Sequence, residues 1–340
     1  MSADRRRRDL DEDDIRVRPG RGKSRPRTKD RPGHSEATLG WVVTVDRGRF
    51  GCLVPTGDAR LHVTAMKARE LGRKGVVVGD RVGLVGDLSA GVDALARIVR
   101  VEPRTTVLRR TADDDDPVER VIVANADQLA VVTALADPPP RTGLIDRCLV
   151  AAFDAGLKPL LLLTKSDLAP ATNLLETYRA LDVDHVTTSR GGDLGELRRR
   201  LAGHRTVFVG HSGVGKSTLV NLLVPGASRS IGAVNAVTGR GRHTSTSAIV
   251  LELPGEGADA GWVIDTPGIR SFGLAHVDPS RVVGSFGELR AGTEQCPRSC
   301  SHDEPECALD AWVSAGHADP ARLQSLRRLL RTRDAPDLDQ

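Results

Sequence analysis

The chain of 340 residues is poor in aromatic side chains, with five Phe, three Trp and one Tyr. Its core must be built from Val, Leu, Ile and Ala, and recognition of RNA by rows of stacking rings is excluded for want of platforms. Long apolar runs are also missing. Nothing approaches the ~18 residues of a membrane span, and no apolar segment follows the arginine-rich start as it would in a secretory signal. Only five cysteines are present. Cys296, Cys300 and Cys307 crowd beside His302, while Cys52 and Cys148 stand alone. That distribution reads as a metal site in a reducing cytoplasm and excludes a disulfide framework. A basic body is lacking as well. Residues 1–34 hold twelve of the 49 Lys/Arg and seven of the 45 Asp/Glu, which leaves 37 basic against 38 acidic residues for the rest. The excess charge sits in the N-terminal arm, so composition alone does not make the body a nucleic-acid binder.

Residues 1–35 mix Arg, Asp, Pro and Gly with almost no apolar side chains. They bury too little to offset their ordering entropy, and a disordered arm is expected. It reads either as a solvated tail or as a polyelectrolyte touching RNA phosphates; the acidic block Asp11-Glu12-Asp13-Asp14 opposes the second. From 36 to 108, short apolar and β-branched runs recur at 39–45, 52–54, 60–63, 80–85 and 94–101, separated by turn signals. Five short strands in such a span suit a small barrel of the OB type. Arg97, Arg100, Arg104, Arg109 and Arg110 near its end form either a phosphate-contacting rim or a solubilising surface. After the run Asp113-Asp114-Asp115-Asp116-Pro117 the rhythm changes. Strands are expected at 118–124, 128–134, 160–163, 183–189 and 206–209, alternating with helices at 144–155, 173–181 and 194–201. That alternation predicts an α/β domain with a mainly parallel sheet covered on both faces.

At the end of the 206–209 strand stands Gly210-His211-Ser212-Gly213-Val214-Gly215-Lys216-Ser217-Thr218, which fits the phosphate-loop pattern G-x-x-x-x-G-K-[ST] with a helix after it. Successive backbone N–H groups would cradle one phosphate chain, Lys216 would reach the terminal phosphates and the Ser217 hydroxyl would bind Mg²⁺. Thr164-Lys165-Ser166-Asp167 follows the apolar strand at 160–163. A carboxylate there accepts from N1–H and the 2-amino group of guanine together, whereas adenine presents an acceptor at N1, so Asp167 selects GTP. Ser189, in the stretch 187–190 at the next strand end, is expected to help close the base pocket through backbone N–H groups. Downstream, the apolar run 262–264 delivers Asp265 to the metal, and Gly268 offers an N–H to the γ-phosphate. The polar loop 239–246 between them suits a switch, with Thr244 or Ser245 taking a Mg²⁺ position. Base-specificity elements thus precede the phosphate loop and both switches. This is a circular permutation of the usual GTPase order, tolerable because the site is built from loops at strand ends.

These stretches, 164–167, 210–218, 239–246 and 265–272, together with the Cys/His cluster, make the chain resemble the ribosome small subunit-dependent GTPase A family from about residue 36 to about 330. The resemblance implies an arm over 1–35, an OB barrel over 36–110, a permuted GTPase domain over 118–275 and a zinc-binding helical domain over 276–335. It also implies late assembly of the 30S subunit, contact with 16S rRNA, turnover of GTP to GDP stimulated by the subunit, and a cytoplasmic protein with no membrane partner. A monomer is expected. Two departures stand out. Thr164 replaces the Asn of many GTPases, so the base loop is expected to lose an amide brace. The spacing Cys296-x₃-Cys300-x-His302-x₄-Cys307 is one residue shorter in its first and last gaps than in many relatives.

Three thiolates and an imidazole make a closed tetrahedral set for structural Zn²⁺, and the polar residues between them leave little apolar surface to bury free cysteines. Ile269 stands where other GTPases carry a water-orienting Gln, and an aliphatic side chain cannot orient water. Intrinsic hydrolysis is therefore expected to be slow. His243 in the switch loop is either the missing catalytic group or an exposed histidine that docks on RNA. In the last helix, 320–333, the leucines are expected to dock on the body and the arginines to be solvated, with a phosphate-contacting face as the alternative. Two rival functions stay open: a permuted GTPase of the large subunit, and an RNA-binding assembly checkpoint whose hydrolysis is incidental.

Overall fold

A computed structural model of the chain describes residues 34–57, 59–72, 75–89, 91, 94–110, 120–226, 248–255, 260–266, 274 and 277–334. The arm at 1–33 and the loop at 239–246 lie outside these residues.

Five strands form the barrel: β1 Thr38–Asp46, β2 Arg49–Thr56, β3 Ala59–Lys67, β4 Arg81–Gly86 and β5 Ala96–Val101. They close in the order β1-β2-β3-β5-β4-β1, with only β3 and β5 parallel. Alternation drives the closure: on β3, Val63 and Ala65 point into the core while His62 and Met66 face out. Phe50, Cys52, Val82, Leu84 and Ile98 fill the interior. This is the OB arrangement expected from the sequence. Of the arginines read as a rim, Arg104 is instead held by the fully buried carboxylate of Asp80, through Nε at 2.7 Å and Nη2 at 2.8 Å. Arg100 is bound to Glu102 and the His34 carbonyl. Arg97 stays exposed.

The next hairpin is β6 Val107–Arg110 with β7 Arg120–Ala124, paired antiparallel as a separate sheet. The strand expected at 118–124 therefore exists but does not join the parallel sheet. It is captured by β6, which the sequence reading missed. That sheet consists of β8 Gln128–Ala134, β9 Lys158–Thr164, β10 Asp184–Thr187, β11 Arg205–Val209 and β13 Trp262–Asp265, all parallel, with β12 Ile249–Glu252 antiparallel at one side. Its order is β10-β9-β8-β11-β13-β12. All seven residues of β8 are buried, as a strand covered on both faces requires. Helix α1 Thr142–Ala155 covers one face through Ile145 and Leu149. α3 Gly195–Leu201 and α4 Lys216–Leu223 cover the other through Leu197, Leu201, Leu219 and Leu223, while α2 Thr172–Tyr178 joins the α1 side.

The chain runs outward through β8, β9 and β10, returns to the centre with β11, and then fills the opposite side. The order reverses between β8 and β11, and the loops after these two strands open the crevice where such sheets bind ligands. The tail adds α5 Pro279–Gly284, α6 Gly287–Arg290, α7 Ala308–Ser314 and α8 Pro320–Asp334. Leu323, Leu326, Leu329 and Leu330 of α8 are buried in the cluster that contains α1. Four of its arginines are engaged by carboxylates, and of these Arg331 stays exposed. Arg322 pairs with Glu288, Arg327 with Asp310, Arg328 with Asp146 and Arg331 with Asp303.

Candidate nucleotide site and metal centre

Four of the five residues of β11 are buried, and the strand ends at Val209, directly before Gly210. A Cβ on Gly210 would lie 2.4 Å from the Val132 carbonyl oxygen of β8, so only glycine lets the loop leave the sheet here. The loop closes at Gly215, with φ +91°, directly before α4. The first N–H groups of that helix, from Lys216, Ser217 and Thr218, have no intrahelical acceptor and face the same end of the sheet. Ser217 and Thr218 are exposed, as are Ser212 and Gly213. The Lys216 ammonium meets the carboxylate of Asp265, which β13 brings to the same edge. The two groups assigned from sequence to the terminal phosphates and to the metal are thus side by side.

Thr164, 4 % exposed, ends β9. Its hydroxyl donates to the Val214 carbonyl at 2.6 Å and lies 3.3 Å from the Thr133 carbonyl. The brace expected to vanish with asparagine is therefore present, carried by a shorter side chain into the phosphate loop. Lys165, at φ +57°, donates from Nζ to the Asp137 carbonyl. Ser166 N–H donates to the Thr188 carbonyl at 3.1 Å, Thr188 N–H to the Leu163 carbonyl at 2.7 Å, and Arg190 N–H to the Asp167 carboxylate at 3.3 Å. Asp167 is exposed and Ser189 half-buried at this rim. The structure brings together Thr164, Lys165, Ser166, Asp167 and Ser189 on one side and residues 210–218 with Asp265 on the other. His243, Thr244, Ser245, Gly268 and Ile269 lie outside the described residues. The segment 135–141 was missed from sequence: Asp137 holds Lys165, and Pro138 lies beside Gly213. Its run of three prolines after a buried strand was the available signal. His211 donates from Nδ1–H to the Ser212 carbonyl, 2.8 Å away.

The second centre lies between α6 and α7. The ligand atoms of Cys296, Cys300, His302 and Cys307 all fall within 4.8 Å of one another. Cys296 Sγ is 3.6 Å from His302 Nδ1 and 3.9 Å from Cys307 Sγ, and Cys307 Sγ is 3.9 Å from the same Nδ1. Four donors around Zn²⁺ at its usual bond lengths stand roughly 3.5–3.8 Å apart. The set therefore fits a closed tetrahedral zinc site despite its shortened gaps. His302 at φ +67° and Ser299 at φ +62° make tight bends between the ligands. Burial pushes the Cys300 thiol up to about 12 and raises Cys307, and it lowers His302. A bound cation reverses that preference for neutral thiols by stabilising thiolates. Cys52 is a different case, a thiol sealed in the barrel core and pushed to about 12 by burial, hence inert.

The fold and these loops define a circularly permuted P-loop nucleotide-binding domain carrying an OB barrel and a zinc-type tail. The model of the RsgA GTPase family matches residues 101–275. Over 265 residues the chain is 42 % identical to the small ribosomal subunit biogenesis GTPase RsgA of Pseudomonas aeruginosa, covering 75 % of each chain. It is 41 % identical over 273 residues to the protein of the same name from Azotobacter vinelandii, covering 77 % of this chain and 76 % of that one. The crystal structure of YjeQ from Thermotoga maritima matches with a TM-score of 0.61 at 25 % identity, over 88 % of this chain and 99 % of that one. YloQ, described as a circularly permuted GTPase, shares the fold with a TM-score of 0.61 at 22 % identity, over 90 % and 98 %. The chain belongs to the RsgA family of GTPases.

Proposed function

We propose that this GTPase works in biogenesis of the small ribosomal subunit, binding the 30S particle and its 16S rRNA in the cytoplasm and turning over GTP slowly when free and faster when bound. The observation that carries the nucleotide side is the Thr164 to Val214 hydrogen bond, which makes the base loop and the phosphate loop one unit. The ribosomal side is supported by the name the relatives bear. In this reading the domains are the barrel at 36–110, the permuted GTPase at 118–275 and the zinc-binding tail at 276–335.

Asp167 takes both guanine donors. Lys216 leaves Asp265 for the β- and γ-phosphates when nucleotide enters, which frees the Asp265 carboxylate to hold Mg²⁺ with the Ser217 hydroxyl and with Thr244 or Ser245. Held by these residues, Mg²⁺ would supply neutralisation of the phosphate charge. Gly268 N–H senses the γ-phosphate, and His243 orients the attacking water that Ile269 cannot.

The reading is tested by Asp167→Asn. The amide keeps one acceptor but turns a donor toward the guanine amino group, so GTP affinity should fall on the order of a hundred-fold. Xanthosine triphosphate, which carries a carbonyl in that place, should gain. Unchanged GTP affinity would remove Asp167 from the base pocket, and competition by ATP against the unaltered protein would remove the guanine assignment.

A further inference from the structure

Beside the cysteine cluster lies a cleft of about 410 Å³ walled by Ser280, Val283, Gly284, Arg290, Thr293 and His302. His302 turns Nδ1 toward the sulfurs of Cys296 and Cys307. Its Nε2 meets no hydrogen-bond partner among the described residues, yet it is not among the sealed polar atoms that lack one. A histidine that ligates a metal normally gives its outer N–H to a carboxylate, a carbonyl or a water, which fixes the ring and raises its basicity. Here no described carboxylate or carbonyl takes that part.

Arg290 is exposed on the same wall, and its guanidinium has no ion pair among the described residues. The contrast is with α8, where Arg322, Arg327, Arg328 and Arg331 are each matched to a carboxylate, whereas Arg298 is likewise without an ion pair among the described residues. No carboxylate lines the cleft. Of those nearby, Asp278 accepts from Ser280 N–H and Oγ, Glu288 is bound to Arg322, and Glu304, whose charge acts on His302, accepts from Ser301 N–H, while Glu294 is exposed. Thr293 Oγ1 donates to the Arg290 carbonyl at 2.7 Å, which holds the turn from which the guanidinium departs.

We infer that this cleft binds a phosphate group, with the Arg290 guanidinium gripping two oxygens and the outer N–H of His302 donating to a third. A planar fork with a separate third donor suits a tetrahedral oxyanion better than a planar carboxylate. The phosphate is either a backbone phosphodiester of RNA or free inorganic phosphate. The inference rests on the cluster holding zinc and is independent of the ribosome reading. It has a thermodynamic corollary: an anion that strengthens His302 as a ligand must hold the metal more tightly, and the metal must hold the anion.

The test uses the full chain, first checked for one zinc per molecule. Transfer of zinc to a chromogenic chelator is timed in chloride, in inorganic phosphate at equal ionic strength, and in chloride with a short single-stranded RNA. Phosphate or RNA should slow transfer on the order of ten-fold. Arg290→Ala should transfer at the chloride rate in all three solutions with its zinc content unchanged, and Arg290→Lys should keep part of the slowing. Slowing by RNA alone assigns the site to a phosphodiester; slowing by both assigns it to phosphate in general. Equal rates in all three solutions for the unaltered protein would overturn the inference, as would slowing that persists in Arg290→Ala.

Discussion

Thr164 shows how one hydroxyl ties recognition to catalysis. Its donor reaches the Val214 carbonyl inside the phosphate loop, and a Cβ on Gly215 would stand 3.8 Å from the same hydroxyl. Thr164→Val keeps the shape and removes the donor, leaving a buried carbonyl short of a partner at a cost of about 1–3 kcal/mol. Affinity for both GTP and GDP should drop by roughly ten- to a hundred-fold, whereas Thr164→Ser should restore most of it. Titration with a fluorescent guanine nucleotide checks this, and equal affinities for the Val and Ser variants would show the hydroxyl to be idle. The residue itself was legible in the sequence as part of a base-recognition stretch, but its bond was not. A reading by analogy registers asparagine as missing, whereas only the path of the chain reveals that threonine ends close enough to Val214 to serve.

At the scale of elements, α8 is the part whose chemistry the sequence half disclosed. The spacing of Leu323, Leu326, Leu329 and Leu330 announced a buried stripe, and those four are buried. The fate of the arginines depended on acids far away in the chain, which no periodicity indicates. Arg327 lies across Asp310 with bonds of 2.9 and 2.7 Å, and Arg322 contacts Glu288 while its guanidinium covers the Phe286 ring at 4.9 Å. The bond from Arg327 holds the Asp310 carboxyl below its usual range. Burial, the largest single influence, would raise Glu288, but its bond to Arg322, a backbone hydrogen bond and the guanidinium charge together outweigh it and lower the carboxyl. Carboxyls depressed in the folded state contribute stability above their unfolded values and lose it as pH falls through the folded ones. Both pairs are partly exposed, so each contribution is modest. The packing of α8 should therefore hold at pH 6 and weaken below about pH 4. Amide exchange over residues 320–334 at the two pH values checks the direction, and faster exchange at the higher pH would contradict it.

The same limit explains β6 and β12, two strands of four residues each that the sequence reading passed over. Runs so short carry no usable alternation, and β10 and β13, equally short, were legible from their place in the α/β rhythm and from the site motifs that follow them. The longer strands β8, β9 and β11, and the five of the barrel, were legible because their burial is imprinted on many residues.

Across the whole molecule, the barrel and the GTPase sheet are fastened by contacts between distant parts of the chain. Thr44 of β1 pairs with Ile249 of β12, and Arg60 of β3 bonds Glu252 at the other end of that strand at 2.8 Å. Trp41 meets Trp262 edge-on with centroids 5.4 Å apart, and Arg205 lies 5.1 Å over the Trp41 ring. Gly79, at φ +85°, passes so near β7 that a Cβ would stand 2.0 Å from the Ala124 carbonyl oxygen. The barrel thus rests on β12 and β13, and β13 ends in Asp265. Barrel and GTPase domain should unfold in one calorimetric transition. Trp41→Ala, which removes a ring contact worth about 0.5–1.5 kcal/mol beyond its buried area, should split or broaden it. A single unchanged transition in that variant would show the joint to lie elsewhere. None of this was visible from sequence, where Trp41 and Trp262 are only two of three scattered tryptophans.

The proposal that the small subunit completes this permuted GTPase site has a direct test. The direct measurement is GTP turnover by the purified chain alone, with 30S subunits, and with 50S subunits, each with excess ATP as competitor. Slow turnover alone, strong stimulation by 30S only and no effect of ATP are the expected outcome. Equal rates in all three conditions, or stimulation by 50S in place of 30S, would contradict it.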